Sequence, residues 1–196
     1  MSLSDQTLLI LISYLIGSIP FAFILFKFSQ GKDIRQFGTG NVGAMNTFEV
    51  SGSKGLGVLV GILDWLKGIA AVLVARNLFP AAYSESPAFI NSVAALFVVV
   101  GHIFPLWLRF KGGRGLATAF GATVLFALSL PISWIIVWAL AWGYSKNIHF
   151  CNISGTVGML LIAPFFENVS MLYFIIFLSG FILLAHRDVY KIALRN

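Results

Sequence analysis

From Thr7 to Phe28 the chain carries one charge, Lys27, near the end of the run. Comparable apolar runs follow at Ser53–Phe79, Ala88–Leu108, Leu116–Trp142, Ile153–Phe166 and Val169–Ala185. A helix needs about 20 apolar residues to cross a hydrocarbon core of about 30 Å. No water reaches the backbone there, so each segment must satisfy its own N–H and C=O groups. Only helices and closed barrels do so. These runs are continuous rather than alternating, which predicts helices. Only 10% of the residues are charged, against about 25% in soluble domains, and mean hydropathy is +0.92. The predicted class is an all-α polytopic integral membrane protein, with residues 1–196 forming one domain.

Proline placement sets the helix count. Gly17-Ser18-Ile19-Pro20 interrupts the first run and predicts a kink, because Pro20 cannot donate the usual backbone bond. Leu116–Trp142 is too long for one simple span, and Pro131 predicts a turn near Ser129-Leu130-Pro131. Seven transmembrane helices result. The first lacks the basic flank and small-residue pattern of a cleaved signal peptide. A lone cysteine, Cys151, excludes an intrachain disulfide.

Charge placement then predicts orientation. With seven spans, Lys27, Lys32, Arg35, Lys54, Arg109, Lys111, Arg114, Lys146, Arg187, Lys191 and Arg195 share the side of the C-terminus. Arg76, Asp5, Glu85 and Glu167 fall on the other side, and Lys67 lies within the second span. Cytoplasmic loops collect Lys and Arg, so the C-terminus is predicted cytoplasmic and the N-terminus outside. The net charge of +6 reflects this loop bias and does not require a nucleic-acid partner.

Two polar, glycine-dense segments fall on the basic side. Gly38-Thr39-Gly40-Asn41-Val42-Gly43-Ala44-Met45-Asn46 combines flexible backbone with neutral hydrogen-bonding side chains, a pattern suited to wrapping a phosphate. Glycines beside a membrane helix also serve helix packing and tight turns. Lys111-Gly112-Gly113-Arg114-Gly115 places two cations and flexible backbone where a helix begins, which suits an anion. The alternative is an ordinary basic loop. His102 lies in an apolar helix near the second segment, either as a packing residue or as a group that orients a phosphate or takes a proton. Asp64 and Lys67, three apart, can pair on one helix face, and a structural ion pair is the plainer reading. The three histidines are scattered, so no metal site is expected.

These motifs occur together, and in order, in one family. Gly17-Ser18-Ile19-Pro20, Gly38–Asn46, Leu63-Asp64-Trp65-Leu66-Lys67-Gly68, Gly101-His102-Ile103-Phe104-Pro105, Phe110–Gly121 and His186-Arg187 resemble the bacterial membrane glycerol-3-phosphate acyltransferases of the PlsY family. The resemblance runs from Tyr14 to the tail. It implies seven transmembrane helices in the bacterial inner membrane with an active site facing the cytoplasm. It also implies transfer of an acyl group from acyl phosphate to the sn-1 hydroxyl of glycerol 3-phosphate, giving lysophosphatidate and phosphate. No cofactor is implied. In that family the substrate's own phosphate has been proposed as the base.

Carried over by motif, the candidate catalytic residues are His102, His186 and Asn46. The candidate phosphate-binding residues are Thr39, Gly40, Asn41, Gly43, Lys111, Gly112, Gly113, Arg114 and Arg187; Gly115 also matches. Thr39 keeps a hydroxyl where the family usually has serine, and Arg114 keeps a cation where it has lysine. Met45 replaces threonine, Glu49 replaces arginine, and Val189 stands where asparagine is expected. These departures motivate an alternative, a paralogue that binds or transports a phosphorylated small molecule or lipid without transfer.

Overall fold

The computed structural model describes residues 1–193, and among them every regular element is helical. Arg195, counted above with the basic side, lies outside the described residues, as does the side chain of Lys191. The chain divides into two compact units, Met1–Ala122 and a second from Thr123 onward.

In the first unit the long apolar segments fold around glycines. Helix α1 (Leu3–Gly17) ends where the sequence predicts a break, and α2 (Phe21–Gln30) resumes after Pro20. A short helix, α3 (Ala44–Val50), precedes the long α4 (Lys54–Leu78). Next come α5 (Pro80–Glu85), α6 (Pro87–Ile103) and α7 (Leu116–Thr123). Helices α1, α4 and α6 pack on one another. The crossing of α1 with α6 is close enough at two points to exclude any side chain. A Cβ at Gly17 would lie 2.0 Å from the Val98 carbonyl oxygen, and one at Gly101 would lie 2.2 Å from that of Tyr14. The crossing of α4 with α7 repeats this, with Gly68 against Thr118 and Gly121 against Trp65. Small residues that let backbones approach are the usual means of packing helices in lipid, where the hydrophobic effect does not drive helices together. Tyr14 adds a directed bond, its hydroxyl donating to the Phe104 carbonyl at 2.8 Å.

The second unit contains α8 (Ser129–Tyr144), α9 (Ile148–Ile162), α10 (Val169–Ala185) and α11 (Tyr190–Ala193). Helix α8 lays a ladder of Trp134, Trp138 and Trp142 along one face, and Lys146 stands over the last ring at 5.3 Å. Gly155 and Gly158 of α9 make room for Trp134 and Val137. The indole N–H groups donate to Thr156 Oγ1 and Asn152 Oδ1. Glu167 accepts a hydrogen bond from the Ser129 hydroxyl.

Among the described residues, four stretches are long and apolar enough to cross a membrane: Leu3–Gln30, Lys54–Leu78, Pro87–Leu108 and Ile148–Phe165. Helices α8 and α10 are apolar but shorter. Several elements differ from expectation; α6, for one, ends at Ile103 rather than Leu108. The break in the long run falls between Thr123 and Ser129, and Pro131 sits in the first turn of α8. A proline is tolerated there because the first N–H groups of a helix have no intrahelical partner. Helix α9 begins five residues before the expected Ile153. Asn147 caps it, its side-chain oxygen accepting from the His149 and Phe150 amides. Helix α3 lies inside what the composition predicts to be loop.

Candidate active site

The first glycine segment is shaped from within. Gly31 ends α2 in the left-handed conformation, and Asp33 caps a 3-10 turn, Ile34–Gln36, through the Arg35 amide. The Arg35 guanidinium, bonded to the Asp33 carboxylate, holds that carboxyl below its usual range. Gly38 and Gly40 follow with φ of +56° and +70°, values that other residues adopt only with strain. Asn46, on the first turns of α3, reaches back into the bend. Its Oδ1 accepts from the Thr39 amide at 3.0 Å. Its Nδ2 donates to the carbonyls of Phe37 and Asn41 at 3.1 and 3.0 Å. The loop is thus wound around one buried amide. Gly43, in extended backbone, precedes α3, and its carbonyl accepts from the Thr47 hydroxyl.

The second segment doubles back on α6. A 3-10 turn, Leu106–Leu108, leads into Arg109 and Phe110, both left-handed with φ of 55° and 61°. Such a conformation costs about 1–2 kcal/mol for a residue with a Cβ. The surrounding bonds hold it, with the Arg109 and Phe110 amides donating to the Leu106 and Pro105 carbonyls. The Gly112 and Gly113 amides then donate to the Ile103 and His102 carbonyls at 3.0 and 3.1 Å. A Cβ at Gly112 would lie 2.1 Å from the His102 carbonyl oxygen, and one at Gly113 would lie 2.0 Å from His102 Nε2. Both positions need glycine because the end of α6 lies directly against them.

The two segments meet at one atom. The Gly112 carbonyl accepts from the Val42 amide and from Asn41 Nδ2, each at 3.4 Å. His102 lies beside this junction, buried, on a small cleft lined also by Ile19, Pro20, Val42, Pro105 and Gly112. Asp64 and Lys67 of α4 line the same cleft. Lys67 Nζ is 2.8 Å from Asp64 Oδ1, and His102 Nδ1 is 3.4 Å from that same oxygen. Lys67 also donates to the Ile19 carbonyl at 3.1 Å. Lys111 is exposed and Arg114 is half-buried. The glycine backbone of both segments and His102 meet here, and Lys111 and Arg114 flank Gly112 and Gly113 in the chain. Among the described residues no group of His, Cys, Asp or Glu is arranged to hold a metal ion.

Residues 7–196 match the family model described as glycerol-3-phosphate acyltransferase. The chain belongs to that family. Glycerol-3-phosphate acyltransferases of Pelagibacter ubique and Gluconobacter oxydans are similar. The first is 38% identical, covering 94% of this chain and 91% of its own length. The second is 41% identical, covering 80% and 70%. A crystal structure of PlsY (YgiH), an integral membrane glycerol 3-phosphate acyltransferase in its glycerol 3-phosphate form, superposes with a TM-score of 0.81 at 31% identity. That match covers 95% of this chain and 90% of the other. The lysophosphatidic acid form superposes with a TM-score of 0.77. The chain is accordingly an acyltransferase and a multi-pass membrane protein.

Within the acyltransferase, the first unit gathers most of the candidate residues. Thr39, Gly40, Asn41, Gly43 and Asn46 lie in and around the first segment, and Lys111, Gly112, Gly113 and Arg114 form the second, with His102 beside it. Asn46 has its side-chain oxygen and both amide hydrogens engaged by the loop. His186 and Arg187 belong to the second unit. His186 is buried at the end of α10, its Nδ1 2.8 Å from the Ile182 carbonyl oxygen, while Arg187 is exposed. Val189 is buried, which suits its apolar side chain. Met45 and Glu49 are exposed on α3. The motifs do not signal the contact between Asp64 and His102. It joins residues on separate helices, and neither sequence spacing nor periodicity signals it.

Proposed function

We propose that this acyltransferase passes an acyl group from an acyl phosphate to the sn-1 hydroxyl of glycerol 3-phosphate. The hydroxyl oxygen bonds to the acyl carbon. The bond from that carbon to the phosphate oxygen breaks, and phosphate leaves with the electron pair. The hydroxyl proton goes to phosphate, so the products are lysophosphatidate and inorganic phosphate. The donor is already activated, so the protein's work is to hold two phosphates and aim a hydroxyl.

The observation that carries this reading is the junction of the two glycine segments at the Gly112 carbonyl, with His102 beside it. In this reading Lys111 and Arg114 supply positive charge to a phosphate. Thr39, Gly40, Asn41, Gly43, Gly112 and Gly113 supply close backbone and neutral polar groups. His102 accepts a hydrogen bond from the substrate hydroxyl. Asn46 holds the first segment in shape. His186 and Arg187 remain candidates through the motif they match.

The chain is further proposed to act as one functional domain with seven spans in a bacterial inner membrane. The N-terminus is outside, and the site and C-terminus face the cytoplasm. The basic bias of Lys32, Arg35, Lys54, Lys111 and Arg114 supports that orientation. The donor is tested by offering purified protein palmitoyl phosphate or palmitoyl-coenzyme A in turn. Acylation of glycerol 3-phosphate with the first and not the second is expected. The reverse preference would overturn the proposed donor.

A further inference from the structure

Resting on that reading of His102, we propose that Asp64 and Lys67 form a buried positioning device for it. They set which imidazole nitrogen faces the substrate. The bland alternative is a purely structural ion pair within α4.

Both side chains are about 3% exposed. Burying two charges in a helix pair is costly, and an apolar pair of similar size is often as stable or more so. Stability alone therefore gives little reason for the pair. The geometry gives a specific one. Asp64 Oδ1, buried without a hydrogen bond of good geometry, faces both Lys67 Nζ at 2.8 Å and His102 Nδ1 at 3.4 Å. A carboxylate only accepts, so Nδ1 must carry hydrogen to face it favourably. In the neutral ring Nε2 is then the acceptor.

Nε2 is the nitrogen that lies against Gly113, in the glycine segment assigned to phosphate. An acceptor at that place suits a hydroxyl donor and not the phosphate itself. It therefore selects the end of glycerol 3-phosphate that His102 meets. Lys67 holds the carboxylate in place and is itself tied to the α1–α2 break. It donates to the Ile19 carbonyl and stands 5.6 Å from the centre of the Phe21 ring. The kink at Pro20, α4, α6 and the second glycine segment thus converge on one side-chain chain, Lys67 to Asp64 to His102.

Two measurements test this. In the unaltered protein, imidazole 15N chemical shifts should show hydrogen on His102 Nδ1. A ring with a bare Nδ1 would overturn the proposal, with no variant needed. The charge-balanced double variant Asp64→Leu with Lys67→Met, which leaves Nδ1 no acceptor at residue 64 and replaces the buried pair by apolar groups, should keep the thermal transition within a few degrees. Its kcat should fall roughly 10- to 100-fold, the scale of a misaligned reacting group, while KM for glycerol 3-phosphate stays within about threefold because the phosphate ligands remain. Folded double variant with unchanged kcat would make the pair structural and overturn the proposal. His102→Gln separates the two levels. Full activity in that variant would remove His102 from the reaction and overturn the site reading beneath the inference. Lost kcat in His102→Gln beside normal kcat in the double variant would overturn the positioning role alone.

Discussion

His102 Nε2 fills the space that a side chain at residue 113 would need; a Cβ there would fall 2.0 Å away. The ring cannot yield freely, because Asp64 meets its other nitrogen. Gly113→Ala must therefore displace either the imidazole or the loop. Overpacking of this kind costs about 1–3 kcal/mol. The expected result is a folded protein with kcat reduced by about tenfold or more. Wild-type kinetics in Gly113→Ala would mean that the ring is not held where it lies.

Lys111 is exposed, so its removal should leave the fold intact. If it binds a substrate phosphate, Lys111→Ala loses a charge-assisted bond of about 1.5–3 kcal/mol. KM for glycerol 3-phosphate or for the acyl phosphate should then rise about 10- to 150-fold, since each 1.4 kcal/mol is a factor of ten. Steady-state kinetics with each substrate varied in turn show which phosphate it serves.

Asn46 makes three bonds that hold the first glycine segment together. Asn46→Ala leaves two carbonyls and one amide to find water, at about 1–3 kcal/mol for each group that stays unpaired. Activity should fall, and limited proteolysis should cut the segment at 37–43 faster than in the wild type. Lost activity with unchanged proteolysis would point to direct contact with substrate instead.

Much of this arrangement was legible in the chain. The break at Gly17–Pro20, the full extent of α10 and the pairing of Asp64 with Lys67 all follow from local rules. They depend on proline chemistry, hydrophobic length and three-residue spacing. Helix α3 was hidden because Gly38–Asn46 reads as loop, although Ala44 to Val50 contains no breaker. The start of α9 carried a signal in Asn147, a good helix cap placed before an apolar run. Pro131 misled because a proline in a first turn and a proline in a turn look alike in sequence. The meeting of Asn41 with Gly112, and of Asp64 with His102, comes from tertiary packing. Residues so far apart in the chain leave no periodic trace.

Asp33 offers a pH test away from the apolar core. Its carboxyl is held low chiefly by the bond from Arg35. The stabilisation is therefore present above the ordinary aspartate value of about 4 and is lost as pH falls through the lower folded value. Both partners are partly exposed, so the effect should stay below about 1 kcal/mol. Hydrogen exchange at the Arg35 amide, which bonds to Asp33 Oδ1, should be faster in Asp33→Ala at neutral pH. Equal protection in both proteins would dismiss the cap.

The most direct test of the central claim is acyl transfer by the purified protein in lipid. Palmitoyl phosphate and labelled glycerol 3-phosphate are supplied, and lysophosphatidate and inorganic phosphate are followed together. The account predicts equal release of the two products, dependent on both substrates. Folded protein that binds glycerol 3-phosphate yet forms no lysophosphatidate, or releases phosphate without it, would contradict the account.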